Sequence, residues 1–353
     1  MADADDLEPA APEFSVPALL PWQRAPLSAM LAQREHWHHG TLLHGPAGFG
    51  LRRLGLHLAQ GLLCRHAPDG LACGQCDACH LYLTGGHPDF RLVLRTHVEK
   101  SESSGERRLR DEIIVDQVRE LIDGFLYLTS HRQGAKVVMI YLAEEMNNAA
   151  ANALLKSLEE PPSRTYFLLI SHRLHLLRPT VISRCRRVPA PQPTAEQASD
   201  WLAALGAADP PLLLAQAGGA PLKALTMNDP TYQAERSRFL SRLAEPRRLS
   251  IIGMGGEVDA GARAVKKARL QAWFDWLATW SFDVAACAAG AAPRYHLDFA
   301  PQLSRLAVTV APLAILRYHR ELLRDRALLS HPLNSRLVAE NALIGYRRAV
   351  LGD

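Results

Sequence analysis

The eight residues Lys136-Val-Val-Met-Ile-Tyr-Leu-Ala143 are apolar almost without interruption. A strand with one wet face alternates apolar and polar side chains, so a run without alternation fits a strand covered on both faces. Sheets covered on both faces are built from parallel strands, wrapped by the helices that connect them. Neighbouring segments have the composition this requires. Thr41–His44, Phe90–Leu94 and Tyr166–Ile170 are further strand candidates. Helical stretches alternate with them. One is Leu51–Leu63, and a second, Val115–Leu128, carries Val118, Leu121, Ile122 and Phe125 on one face. A third contains Ala151, Leu154, Leu155 and Leu158 and stops at Pro161-Pro162. The expected class for this part is α/β with a parallel sheet.

The character changes after Ala190. Pro189, Pro191 and Pro193 read as a linker, and the patterns beyond them are helical only. At 353 residues the chain is too long for one core, so several domains are expected. The expected division is a disordered tail over 1–18, an α/β domain over 19–190, a small helical domain over 191–250 and a helical bundle over 251–353. In the small domain Glu196–Leu205 and Pro211–Leu225 are the helical stretches. In the bundle Leu270, Trp273, Trp276, Leu277 and Trp280 form a stripe at helical spacing, which is expected to be core.

Gly45-Pro-Ala-Gly48-Phe-Gly50-Leu51-Arg52 follows the first strand and opens a helix. That is the place and glycine spacing of a phosphate-binding loop, GxxxxGK[ST], whose N–H groups curl toward an anion at a helix N-terminus. Two chemical positions differ. Leu51 stands where a lysine would reach the phosphates. Arg52 stands where a hydroxyl would hold magnesium, and a guanidinium there repels the metal. A bare glycine turn has the same composition, so the loop by itself leaves both readings open.

The end of the Lys136–Ala143 strand bears on the choice. Hydrolysing NTPases place acidic residues there, one for magnesium and one for the attacking water. Here those positions are Tyr141 and Leu142, while Glu144 and Glu145 come later, at the start of the next loop. Strand alternation prevents a one-residue slip from rescuing them. Lysine, hydroxyl and both acids are missing together, so hydrolysis of ATP is not expected, nor is binding of ATP or Mg2+.

Cys64, Cys73, Cys76 and Cys79 fall within 16 residues, while Cys185 and Cys287 stand alone. Four thiolates can close a tetrahedral zinc site, and Gly74 suits the tight turn between two of them. An iron–sulfur cluster is the rival, but the further Cys-x3-Cys-Pro element of a ferredoxin run is lacking. Four unliganded cysteines are the plain alternative. The expected metal is structural Zn2+, with His66 and His80 as substitutes if one cysteine does not bind.

Together these features resemble the clamp-loader AAA+ family of bacterial DNA polymerase III. The resemblance is carried by the loop, the four-cysteine insertion after its helix, Asn152-Ala-Leu-Leu-Lys156-Ser-Leu-Glu-Glu160-Pro-Pro162 and Ser183-Arg184-Cys185. It runs from about Pro21 to Ala224 and is supported by Gly86-His87-Pro88-Asp89 and Val115-Asp-Gln-Val-Arg119. The resemblance implies an AAA+ P-loop-like domain with a zinc insertion, a helical lid and a C-terminal oligomerisation bundle. It also implies a non-hydrolysing role, because some members have lost both nucleotide motifs. His172 stands at the sensor position, and Leu222 replaces the lid arginine of the motor subunits. Arg184 is implied to act in trans on the ATP site of a neighbouring subunit; a surface arginine beside a strand is the plain alternative. The Asn152–Glu160 helix is a partner-contact candidate, its polar residues also fitting an ordinary solvated face.

Implied partners are the gamma/tau motor and delta subunits, with the sliding clamp and primer-template DNA reached through the complex. Competing readings are an ATP-hydrolysing motor of the same loader and a zinc-dependent nucleic-acid binder. The net charge of +4 is too small to argue for the latter. No apolar run approaches the ~20 residues of a membrane helix, and the acidic start, Met1–Asp6, differs from a secretory signal, so a cytoplasmic protein is expected.

Overall fold

All six residues of Lys136–Tyr141 are buried, and the segment is the second strand of a five-stranded parallel sheet. The coordinates are a computed structural model that describes residues 14–66, 71–95, 98–100, 107–109, 112–128, 130, 134–330 and 333–352. The sheet strands are β1 (Gly40–His44), β2 (Phe90–Val93), β3 (Lys136–Tyr141), β4 (Thr165–Ser171) and β5 (Arg186–Pro189). Their order is β2-β3-β4-β1-β5. Leu42 pairs with Leu169 and Met139 with Leu168, so apolar residues stand side by side through the middle of the sheet. Val98–Lys100 and Arg107–Leu109 form a separate antiparallel pair. This is the helix-covered parallel architecture that the resemblance implied.

The helices of this first unit are α1 (Arg24–Ala32), α2 (Leu51–Leu63), α3 (Asp77–Leu83), α4 (Val115–Leu121), α5 (Asn148–Glu159) and α6 (Pro179–Ile182). Gly55 lets α2 approach the sheet, because a Cβ there would meet Ile170 Cδ1 at 2.6 Å and Met139 Cε at 3.0 Å. α4 is shorter than the 115–128 expected and runs into one wide turn over Ile122–Leu126. α5 begins where the Asn147 side chain accepts the Ala150 N–H at 2.9 Å, and it ends before Pro161. Its Leu154 and Leu158 join Val138, Ile140, Phe167 and Leu169 in one core.

Of the tail expected over 1–18, only residues 14–18 lie within the described part. Residues 1–13 lie outside the described part. From Phe14 onward the chain is packed: the Phe14 ring meets Tyr82 and Phe90 edge-on at 5.4 and 5.8 Å, and the Pro17 carbonyl accepts from His57 Nε2 at 2.9 Å.

A second compact unit starts at Ala198 and is helical among its described residues. Its elements are α7 (Ala195–Ala204), α8 (Pro210–Gln216), α9 (Pro221–Met227), α10 (Pro230–Leu243), α11 (Ile251–Val258), α12 (Arg263–Ala288), α13 (Ala300–Ala307), α14 (Pro312–Ala327) and α15 (Ser335–Leu351). The stretch Pro211–Leu225 is two helices, broken where Gly218 and Gly219 take φ of 69° and 89° and Pro221 restarts the chain. Leu202, Leu213, Ala224 and Met227 form a small core. The Leu270–Trp280 stripe is buried in a larger one, as its spacing predicts. Phe239, Leu240, Leu243 and Leu249, expected within the small 191–250 domain, pack in that larger core as well. No helix among the described residues is long and apolar enough to cross a membrane.

Candidate functional site

The glycine loop lies between β1 and α2, with Gly48 and Gly50 at φ of 82° and 79°. Gly50 is the residue before the first helical turn of α2, and its left-handed backbone admits a side chain only under strain. Space forbids one too, because a Cβ on Gly50 would sit 2.4 Å from Leu20 Cδ1. Gln23, buried, donates from Nε2 to the carbonyls of Phe49 at 3.1 Å and Gly50 at 2.8 Å. Leu51 is 0% exposed. A Cβ on Gly45 would meet Ala190 Cβ at 2.8 Å and Leu51 Cδ1 at 3.6 Å. The loop is thus packed by apolar side chains and by a glutamine from the preceding segment.

Arg52 and Tyr141, expected at the positions of magnesium ligands, contact one another. Tyr141 is the last residue of β3, and the Arg52 guanidinium lies over its ring at 5.9 Å. His172, just beyond β4, donates from Nδ1 to the Gly45 carbonyl at 3.1 Å. A carbonyl can only accept, so Nδ1 carries the proton and Nε2 faces the Tyr141 hydroxyl, 3.4 Å away. Leu142 follows in a left-handed turn, φ 61°. Glu144 and Glu145 sit in the short helical turn Ala143–Glu145 after the strand, as expected. The Glu144 side chain is fully buried, and Oε1 accepts the N–H groups of His172 and Arg173 at 3.0 and 3.1 Å. Glu145 pairs with Arg173. Both acids therefore tie the end of β4 to the turn.

The four cysteines converge. Cys64 ends α2, Cys76 precedes α3, Cys79 lies in its first turn, and Gly74 takes φ 73° between Cys73 and Cys76. All four Sγ atoms lie within 4.8 Å of one another. Cys64–Cys73 is 3.6 Å, and Cys64–Cys76 and Cys73–Cys79 are each 3.9 Å. Zinc–sulfur bonds of ~2.3 Å give a tetrahedron with edges of ~3.8 Å, so the cluster has the size a zinc ion needs. The N–H groups of Gln75 and Cys76 draw the Cys73 thiol down to about 6. Burial pushes Cys64 and Cys79 up, so a cation is what would keep them as thiolates. Among the described residues the cluster contains no histidine, so His66 and His80 are not part of it.

Arg184 emerges just after α6 and is bound on several sides. Nε donates to Glu159 Oε1 at 2.6 Å, and Nη2 bonds the same oxygen. Nη1 donates to the Thr180 carbonyl at 2.8 Å and to Ser183 Oγ at 3.3 Å. Burial pushes the Cys185 thiol up to about 12, which keeps it inert. Asn152, Lys156 and Glu159 on α5, and Glu160 just after it, are exposed. Leu222, in the other unit, is buried.

A family model described as DNA polymerase III, delta subunit, matches residues 25–193. The DNA polymerase III subunit delta' of Pseudomonas aeruginosa is 37% identical over 75% of this chain and 77% of its own length. That of Yersinia pestis is 32% identical over 94% of this chain and 96% of its own. The chain belongs to the delta-prime family of DNA polymerase III.

In this delta-prime family member, three of the pairings at the site had no local sequence signal. Gln23 lies 26 residues from Phe49, His172 lies 31 from Tyr141, and Glu159 lies 25 from Arg184. Glu159 stood out in the sequence only within the Asn152–Glu160 partner-contact candidate, or as one polar residue of a solvated face, with nothing to point to Arg184. A glutamine three residues after an apolar pair, as in Leu19-Leu20-Pro21-Trp22-Gln23, looks like any other helix start.

Proposed function

We propose that this chain is a non-hydrolysing subunit of the DNA polymerase III clamp loader, acting in the cytoplasm to help load the sliding clamp onto primed DNA. Its partners are the gamma/tau motor and delta subunits, and it lends Arg184 to a neighbour's ATP site. One observation carries the reading: Leu51 is wholly buried where the phosphate-binding lysine would stand, and Arg52 stacks on Tyr141 where metal ligands would stand. Phosphoryl transfer needs charges held at the phosphates, and this arrangement supplies an apolar plug and an unsuited cation instead. Arg184 keeps the always-charged, bidentate group that suits a phosphate, at a partly exposed place. Cys64, Cys73, Cys76 and Cys79 would hold a structural zinc ion, which would supply a cross-link between the end of α2 and α3 and leave no open coordination position.

Two measurements test the reading. The isolated chain should show no ATP turnover and no Mg-ATP binding by calorimetry; multiple turnovers would overturn it. In a reconstituted loader, Arg184→Ala should slow single-turnover hydrolysis at the adjoining site by at least about tenfold, conservative against the ~10³–10⁵ that arginine fingers contribute in GTPases. Unchanged hydrolysis would refute the trans role.

A further inference from the structure

We infer that Glu159 is a latch on Arg184, occupying the guanidinium edge that a neighbouring nucleotide's phosphate would take. The inference rests on the trans-acting reading of Arg184. Guanidinium carries five N–H groups, and its Nε/Nη2 edge offers two of them in parallel, the geometry that grips a carboxylate or a phosphate. Here that edge is closed on one carboxylate oxygen of Glu159, while Nη1 is held by Thr180 and Ser183. A phosphate can therefore engage Arg184 in the bidentate manner only by displacing Glu159.

The position of the carboxylate points the same way. Glu159 is the last residue of α5, where the helix dipole disfavours a negative charge, so helix stability does not account for it. What the carboxylate does touch is the arginine. The Arg184 and Glu159 side chains keep 31% and 49% exposure, so water weakens the pair and the latch opens without unfolding. A phosphate group carries more charge than one carboxylate and displaces it. The arginine is thus held oriented until a charged nucleotide arrives, and each engagement is opposed by the cost of leaving Glu159.

The test uses the reconstituted loader carrying Glu159→Gln, Arg184→Ala or both, with KM and kcat for ATP measured in each. Glu159→Gln should lower KM by about two- to fivefold, the range open to an exposed ion pair, with kcat held. In the Arg184→Ala background it should change nothing. An unchanged KM, or an equal shift without Arg184, overturns the latch while leaving the trans arginine standing. An Arg184→Ala loader with normal kinetics overturns the arginine reading and the latch with it. In the isolated chain, exchange of the Arg184 Nε proton with water should be slow and should quicken in Glu159→Gln at unchanged circular dichroism. A proton that already exchanges at the rate of free arginine overturns the latch independently of any activity.

Discussion

The Arg52 guanidinium lies over the Tyr141 ring, 5.9 Å from its centroid. By the sequence pattern, one residue is expected at the hydroxyl position of a phosphate loop, and the other at the acid position of β3. In a hydrolysing site the two would share a magnesium ion. Here they share a cation–π contact, and His172 joins Tyr141 to the loop carbonyl of Gly45. Arg52 and Tyr141 are packed against each other, so replacing one of them alone leaves it facing the wrong partner.

Leu51→Lys should therefore destabilise the chain and not create an ATPase. Leu51 is 0% exposed, and an ammonium in its place is an unpaired buried charge. Such a charge costs about 3–5 kcal/mol. Guanidinium chloride unfolding should show the midpoint fall, with phosphate release at background. A variant as stable as the parent would show that the loop interior admits water.

Purified chain should carry about one zinc per molecule, read by atomic emission after dialysis. Cys79→Ser should lose the metal and much of the stability of the first unit, because Cys79 is 1% exposed and its sulfur faces the other three. Cys287→Ser, on α12 and outside the cluster, should keep the metal. Equal retention by both variants would rule out the four-cysteine site.

Stability should fall as pH drops below about 6.5. Burial, and then the neighbouring Arg236 guanidinium, hold the His296 ring well below its ordinary value. Its Nδ1 accepts from Arg236 at 2.6 Å, so that nitrogen must stay unprotonated. Below pH 6.5 the unfolded chain takes up a proton that the folded ring refuses. The stabilisation is thus present above 6.5 and is lost with acid, at up to ~1.4 kcal/mol per pH unit. His319, lowered by burial, adds in the same direction, while Asp283, raised by burial, opposes it at lower pH. Denaturant melts at pH 7, 6 and 5 should show a flatter decline in His296→Asn; equal slopes would remove the histidine from the explanation.

Tyr346→Phe should cost about 1–3 kcal/mol, the penalty of leaving buried polar groups unpaired. The Tyr346 hydroxyl accepts from Trp280 Nε1 at 2.9 Å and donates to the Leu243 carbonyl at 2.8 Å. All of this is buried in the helical core, where water cannot replace it. A melting temperature within error of the parent would contradict the assignment.

Much of the chain's local structure is legible in its sequence. Lys136–Tyr141 declared a doubly covered strand because burial on both faces removes alternation, and the Leu270–Trp280 stripe declared a buried helix face by its period. The cysteine spacing and the glycine turn were legible for the same reason: a knuckle and a loop are local, made by residues close along the chain. Helix ends and breaks were less so. Gly218 and Gly219 split one expected helix into two, and the packing of Phe14 has no local signal because its partners Tyr82 and Phe90 are far away in sequence.

That Leu51 and Arg52 follow the glycine loop and that Tyr141 and Leu142 end the Lys136–Leu142 run was determined by sequence alone, since residue identity needs no geometry to be read. Only the tertiary structure decided what each of these regions touches: Gln23 on the loop carbonyls, Tyr141 under Arg52, Glu159 on Arg184. Each of these pairs joins residues at least 25 positions apart. Which side chains meet at that range is set by how helices and strands pack across the sheet, and no local periodicity encodes it.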